Sequence, residues 1–153
     1  MLERLRPRTA RIGVFGVGHD TYWAQFPGLL DTLMGYHQTF LQSVEAQGVE
    51  VVDFGMVDSS EKAYETLKRM QAAQLDLLFC NMLTYATSSV FAPILRDMQA
   101  PVVLIALQPL AALSYETANT RMQLENDNIC SVPEFTGVAI RLGKRVADVV
   151  LGT

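Results

Sequence analysis

Pro101-Val-Val-Leu-Ile-Ala-Leu107, closed by Gln108-Pro109, is the most apolar run in the chain, and it stops on a polar residue. A run without polar alternation reads as a strand buried on both faces, the pattern of a parallel sheet covered by helices. Three other runs end the same way. Ile12-Gly-Val-Phe-Gly-Val17 leads into Gly18-His19-Asp20, Val49-Glu-Val-Val-Asp53 into Phe54-Gly55, and Leu75-Asp-Leu-Leu-Phe79 into Cys80-Asn81. In open α/β sheets ligands bind at the carboxyl ends of the strands. Polar residues gathered there mark where a ligand would sit.

Helical patterns separate these runs. Leu30, Leu33, Met34, His37, Leu41 and Val44 fall at helical spacing over 29–47, and Gly48 stops the helix. Asp58 and Glu61 form an Asp-x-x-Glu capping box for a second helix ending near Gln74. The connection Cys80 to Ser89 leads to a third helix ending near Met98. Pro93 inside it predicts a late start or a bend. Residues 108–128 are the least regular. Ser131-Val-Pro-Glu134 reads as a capping box for a fourth helix to Leu142, and Arg145 to Leu151 as the last strand. Strands alternating with helices imply right-handed crossovers. The expected fold is a single α/β domain over 1–153, with a doubly wound five-stranded parallel sheet in the order 2-1-3-4-5. That arrangement is flavodoxin-like, or Rossmann-like in the broad sense.

At 153 residues the chain is long enough to bury a core, and half of it is hydrophobic. Its apolar runs fall short of the roughly 20 residues needed to cross a bilayer. The basic N-terminus, Met1-Leu-Glu-Arg-Leu-Arg-Pro-Arg8, runs into a strand with no apolar stretch, so no signal peptide is expected. The net charge of −4 and the scattered basic residues argue against nucleic acid or an anionic membrane as partner. Cys80 and Cys130 stand far apart, and Cys80, at a strand end, is expected to be buried. A reduced, cytoplasmic protein fits that usage. Both histidines precede residue 40, with no His/Glu/Asp cluster at ligand spacing, so a complete metal site within the chain is not expected.

Gly16-Val-Gly18-His-Asp-Thr21 after a strand invites a dinucleotide reading, with Asp53 as the ribose acceptor. The third glycine is missing, and Tyr22, Trp23, Phe26 and Pro27 crowd the place where a helix N-terminus would face a pyrophosphate. A phospho-receiver reading fails on Asn81, which stands where an acceptor aspartate belongs. His19, Asp20, Tyr22, Trp23 and Gln25 form either a polar-aromatic ligand wall or a loop whose aromatics cap the sheet edge. His37, on an apolar helix stripe, reads as structural. Thr84, Tyr85, Thr87, Ser88 and Ser89 either bind a ligand or satisfy a helix N-terminus. Glu134 reads as the third position of its capping box.

With those residues in view, the chain resembles the N-terminal domain of the L-arabinose isomerase / L-fucose isomerase family, particularly its arabinose-isomerase-like branch. The resemblance rests on Ile12-Gly-Val-Phe-Gly-Val-Gly-His-Asp-Thr-Tyr-Trp-Ala-Gln-Phe-Pro-Gly28, Leu83-Thr-Tyr-Ala-Thr-Ser-Ser89, Leu107-Gln-Pro-Leu-Ala-Ala-Leu113 and Cys130-Ser-Val-Pro-Glu134. Members interconvert aldoses and ketoses with a divalent metal, usually Mn2+, held by glutamates and histidines of later domains that this sequence does not contain. The resemblance implies a non-catalytic layer that helps build a homo-oligomer and lends residues to a neighbouring subunit's sugar pocket. Carried over, those residues are His19, Asp20, Tyr22, Trp23 and Gln108, with Tyr85 beside them. No cofactor is implied within this chain. Arabinose isomerases proper carry Gln-His-Leu-Tyr where this chain has His-Asp-Thr-Tyr, which counts against L-arabinose itself. The alternative expectation is a stand-alone flavodoxin-like module for small-ligand binding or assembly.

Overall fold

The computed structural model describes residues 9–153. The signal-peptide reading of residues 1–8 lies outside the described residues. Five strands, β1 (Arg11–Val17), β2 (Glu50–Val57), β3 (Leu77–Met82), β4 (Val102–Leu107) and β5 (Asp148–Gly152), form one sheet in the order β2-β1-β3-β4-β5. All four pairings are parallel. The expected doubly wound α/β topology is the one observed.

Helices α3 (Ser60–Ala72), α4 (Ser88–Asp97) and α6 (Val132–Arg141) cover one face. There Phe15, Leu78 and Leu104 of the strands meet Met70, Phe91, Ile94 and Phe135 of the helices, all buried. Phe91 and Phe135 stack with centroids 4.4 Å apart and planes 4° from parallel. Such a pair adds about 0.5–1.5 kcal/mol beyond its area burial. Helix α2 (Leu29–Glu45) covers β1 and β2 on the other face through Leu41, which packs with Ile12 and Val14. Short helices α1 (Thr21–Gln25) and α5 (Thr120–Glu125) flank the start of α2, where Leu29, Leu33, Leu83 and Leu124 form a separate cluster.

Two capping boxes are overturned. Helix α3 is capped by Ser59, whose hydroxyl accepts from Lys62 N. Asp58 is instead buried and serves other partners. At α6, Ser131 already has helical backbone angles and makes no side-chain cap bond, and its hydroxyl is used across the fold. Spacing alone located both helices, but tertiary partners outbid the local bonds. Helix α4 starts at Ser88 and runs through Pro93 rather than starting after it. β5 begins three residues later than Arg145, and helices α1 and α5 fall in stretches read as irregular. Between Val14 and Gly16 the register against β2 shifts from Asp53 to Met56, so β2 carries an extra residue. Gly55, at φ 74°, supplies the left-handed conformation this bulge needs. Cys80 is buried as expected, but it lies inside β3, which runs on to Met82, rather than just past the strand's end. No helix among the described residues is long and apolar enough to cross a membrane.

Candidate functional site

The strand order reverses between β1 and β3, and in doubly wound sheets the crevice outside that reversal is the place for a ligand. The segments leaving these two strands meet there. The His19 ring, after β1, stacks on the Tyr85 ring, after β3, with centroids 6.3 Å apart and planes 20° from parallel. Tyr22, on α1, tilts against His19 at 5.4 Å and meets Phe26 edge-on at 6.5 Å. His19, Tyr22 and Tyr85 thus form one aromatic rim. Asp20 stands beside it, mostly exposed, with Oδ1 3.2 Å from His19 Nδ1 and accepting from the Thr21 hydroxyl.

Trp23 and Gln108 are placed differently. The Trp23 indole N–H donates to Asp58 Oδ2 at 2.8 Å. Its ring lies so close over Gly18 that a Cβ there would come within 2.9 Å of it. A Cβ on Gly16 would fall 2.6 Å from Leu83. The two glycines therefore serve close packing at the end of β1, the reading weighed against a phosphate-binding turn. Gln108 donates its amide to Asn126 O at 2.8 Å. It lines a cleft of about 740 Å³ formed by residues 108–126, and a second of about 320 Å³ against α2. Neither His19, Tyr22 nor Tyr85 lines either cleft. The aromatic rim and Gln108 are separate features of the same sheet edge.

Behind the rim, three side chains at spacing three hold the segment that carries Tyr85. Asn128 Nδ2 donates to Met82 O at 2.7 Å and to Leu83 O at 3.3 Å. Ser131 Oγ accepts from Ala86 N at 2.8 Å and donates to Ala86 O at 3.0 Å. Glu134 Oε1 accepts from Ser88 N at 2.6 Å, so the carboxylate caps α4 across 46 residues. Thr87 and Ser89 bond each other rather than the helix. Thr84 is fully buried, and its hydroxyl has no hydrogen-bond partner.

The rim is electrostatically acidic. The Glu134 carboxylate beside it, then burial, hold the Tyr85 phenol above its ordinary range. Burial, then Asp127 and Tyr85, do the same for Tyr22. Burial and a bond to Asp127 push the Cys130 thiol up to about 12. Neutral phenols donate hydrogen bonds and carboxylates accept them. The surface therefore suits a ligand rich in hydroxyls. Asn128 escaped sequence reading, and Ser131 and Glu134 read only as a local capping box, because their partners lie about 45 residues upstream. The only signal was their even spacing.

His37 is fully buried between Asp53 and Asn81. No group of three His, Cys, Asp or Glu side chains among the described residues is placed to hold a metal ion. In comparisons with known proteins, no family model matches the chain, and no curated protein matches it.

Proposed function

We propose that the chain is the substrate-pocket and assembly domain of a metal-dependent aldose–ketose isomerase, active only with catalytic groups supplied from elsewhere. The observation that carries this reading is the stacking of His19 on Tyr85 across the β1/β3 reversal. Aromatic faces pack against the C–H face of a sugar, while Asp20, His19 and the two phenols supply hydrogen-bond partners for its hydroxyls. In this role the domain binds and orients. The metal, held by other domains, would polarise the carbonyl and hydroxyl oxygens during proton transfer.

The reading requires millimolar affinity, since an open rim leaves much of a sugar in water. Saturation-transfer NMR with L-fucose, D-galactose and L-arabinose tests it. Transfer should be seen for at least one sugar and should fall about tenfold in His19→Ala and Tyr85→Ala. Absence of transfer, or transfer indifferent to both variants, overturns the sugar assignment. Isomerisation by this chain alone with Mn2+ overturns the non-catalytic role. Sedimentation measures the proposed homo-oligomer separately. A second reading, a stand-alone ligand-binding module, is favoured by the cleft at residues 108–126, which Gln108 lines away from the rim. NMR shifts confined to that cleft would select it.

A further inference from the structure

Tyr85 sits on a segment with no regular structure between β3 and α4, yet its ring is held against His19. The restraint comes from the first turn of α6. Ser131 binds both backbone groups of Ala86, and Glu134 binds the amide of Ser88, so the chain is fixed on the C-terminal side of Tyr85. Asn128 fixes the N-terminal side through Met82 and Leu83. Among these three, Glu134 alone carries charge, and its carboxylate also lies beside the Tyr85 phenol.

We infer that Glu134 is a positioning residue for the ligand rim, holding the Tyr85 ring in register with His19 through its bond to the Ser88 amide. The inference rests on the sugar-pocket reading for its consequence, though not for its geometry. One Glu134 oxygen is committed to Ser88 N–H at 2.6 Å, a short charge-assisted bond. The carboxylate therefore cannot swing into the rim without uncapping α4. It acts on a ligand through Tyr85.

Two variants separate position from charge. Glu134→Gln keeps an amide oxygen for Ser88 N–H and removes the charge. Glu134→Ala removes both. Thr136→Ala serves as control, because that hydroxyl bonds only to Val132 O and Pro133 O in its own helix. In ring-labelled tyrosine NMR, the Tyr85 titration midpoint should lie above 10.0 in the wild type and fall back toward it in Glu134→Gln. Sugar saturation transfer should weaken about tenfold in Glu134→Ala, less in Glu134→Gln, and not at all in Thr136→Ala. An unmoved Tyr85 midpoint in Glu134→Gln overturns the inference. So does wild-type sugar binding by folded Glu134→Ala. If the wild type binds no sugar yet the midpoint still moves, the sugar reading fails and the positioning of Tyr85 stands.

Discussion

His37 Nε2 lies 2.9 Å from Asp53 Oδ1, across the point where β2 slips out of register with β1. The same carboxylate oxygen accepts from Gly55 N at 2.7 Å, so Asp53 ties the bulge and the histidine together. A carboxylate only accepts, which places a proton on Nε2. In the neutral ring Nδ1 then accepts from the Asn81 amide at 3.3 Å. A buried polar chain thus runs from α2 through the end of β3.

Replacing His37 by leucine fills most of the space but strips Asn81 of its partner. The cost of a buried donor left unsatisfied is about 1–3 kcal/mol. Urea unfolding of His37→Leu should show a loss of about 2–3 kcal/mol with an unchanged m-value. A loss below about 0.5 kcal/mol would mean the histidine is only a space filler.

Trp23 and Asp58 form a second long-range tie. Asp58 is buried and accepts from the indole and from Lys62 Nζ, so removing its carboxylate leaves two donors short. Asp58→Ala should cost more than Trp23→Phe, roughly 2–4 against 1–2 kcal/mol. The wild-type indole fluorescence should shift to longer wavelength in Asp58→Ala at native conditions. Equal costs for the two substitutions would show that the indole bond is the whole of the interaction.

Thr84 is an opposite case. Its hydroxyl is buried with no partner, so Thr84→Val removes a polar atom without emptying space. Thermal unfolding should show a gain of about 1 kcal/mol, a rise in Tm of a few degrees. A fall in Tm would show that the hydroxyl is satisfied in solution.

Alkali should destabilise the fold. Folded Tyr22 and Tyr85 titrate above the ordinary 10.0, and Cys130 at about 12 against an ordinary 9.0. The folded state therefore binds these protons more tightly than the unfolded chain. Their contribution is complete only well below the ordinary thiol value of 9.0, where neither thiol nor phenols ionise in the unfolded chain. It is lost progressively as pH rises through the folded values. Denaturation midpoints from pH 8 to 12 should be level at first and then fall. The tyrosine part of that fall should be smaller in Glu134→Gln, since its charge is a cause of the Tyr85 shift. A midpoint that rises with pH would contradict the sign.

The sheet was legible because its apolar runs are local: Pro101 to Leu107 needs no partner to read as a buried strand. The end of β1 was also legible, since Gly18 followed by His19, Tyr22 and Trp23 marks a strand that stops among polar and aromatic groups. Pairings across the chain were not. Glu134 sits at the third position of a capping motif, yet its bond goes to Ser88, and Asp58 is taken by Trp23 in the same way. A short polar residue near a helix start satisfies the pattern whichever amide it finds. Local spacing therefore located the helices but misassigned their caps. Gln108 was grouped with the aromatics because both follow strands, but α5 and its loop give it a different neighbourhood.

The residues that shape the Tyr85 segment are donated by the last third of the polypeptide. Strands β1 and β3 can pair before that part exists, but the rim between them cannot take its form until α6 docks. A nascent or truncated chain ending before Asn128 would hold β1 to β4 but lack the three side chains that fix the rim, so the rim's geometry should be acquired only late in synthesis.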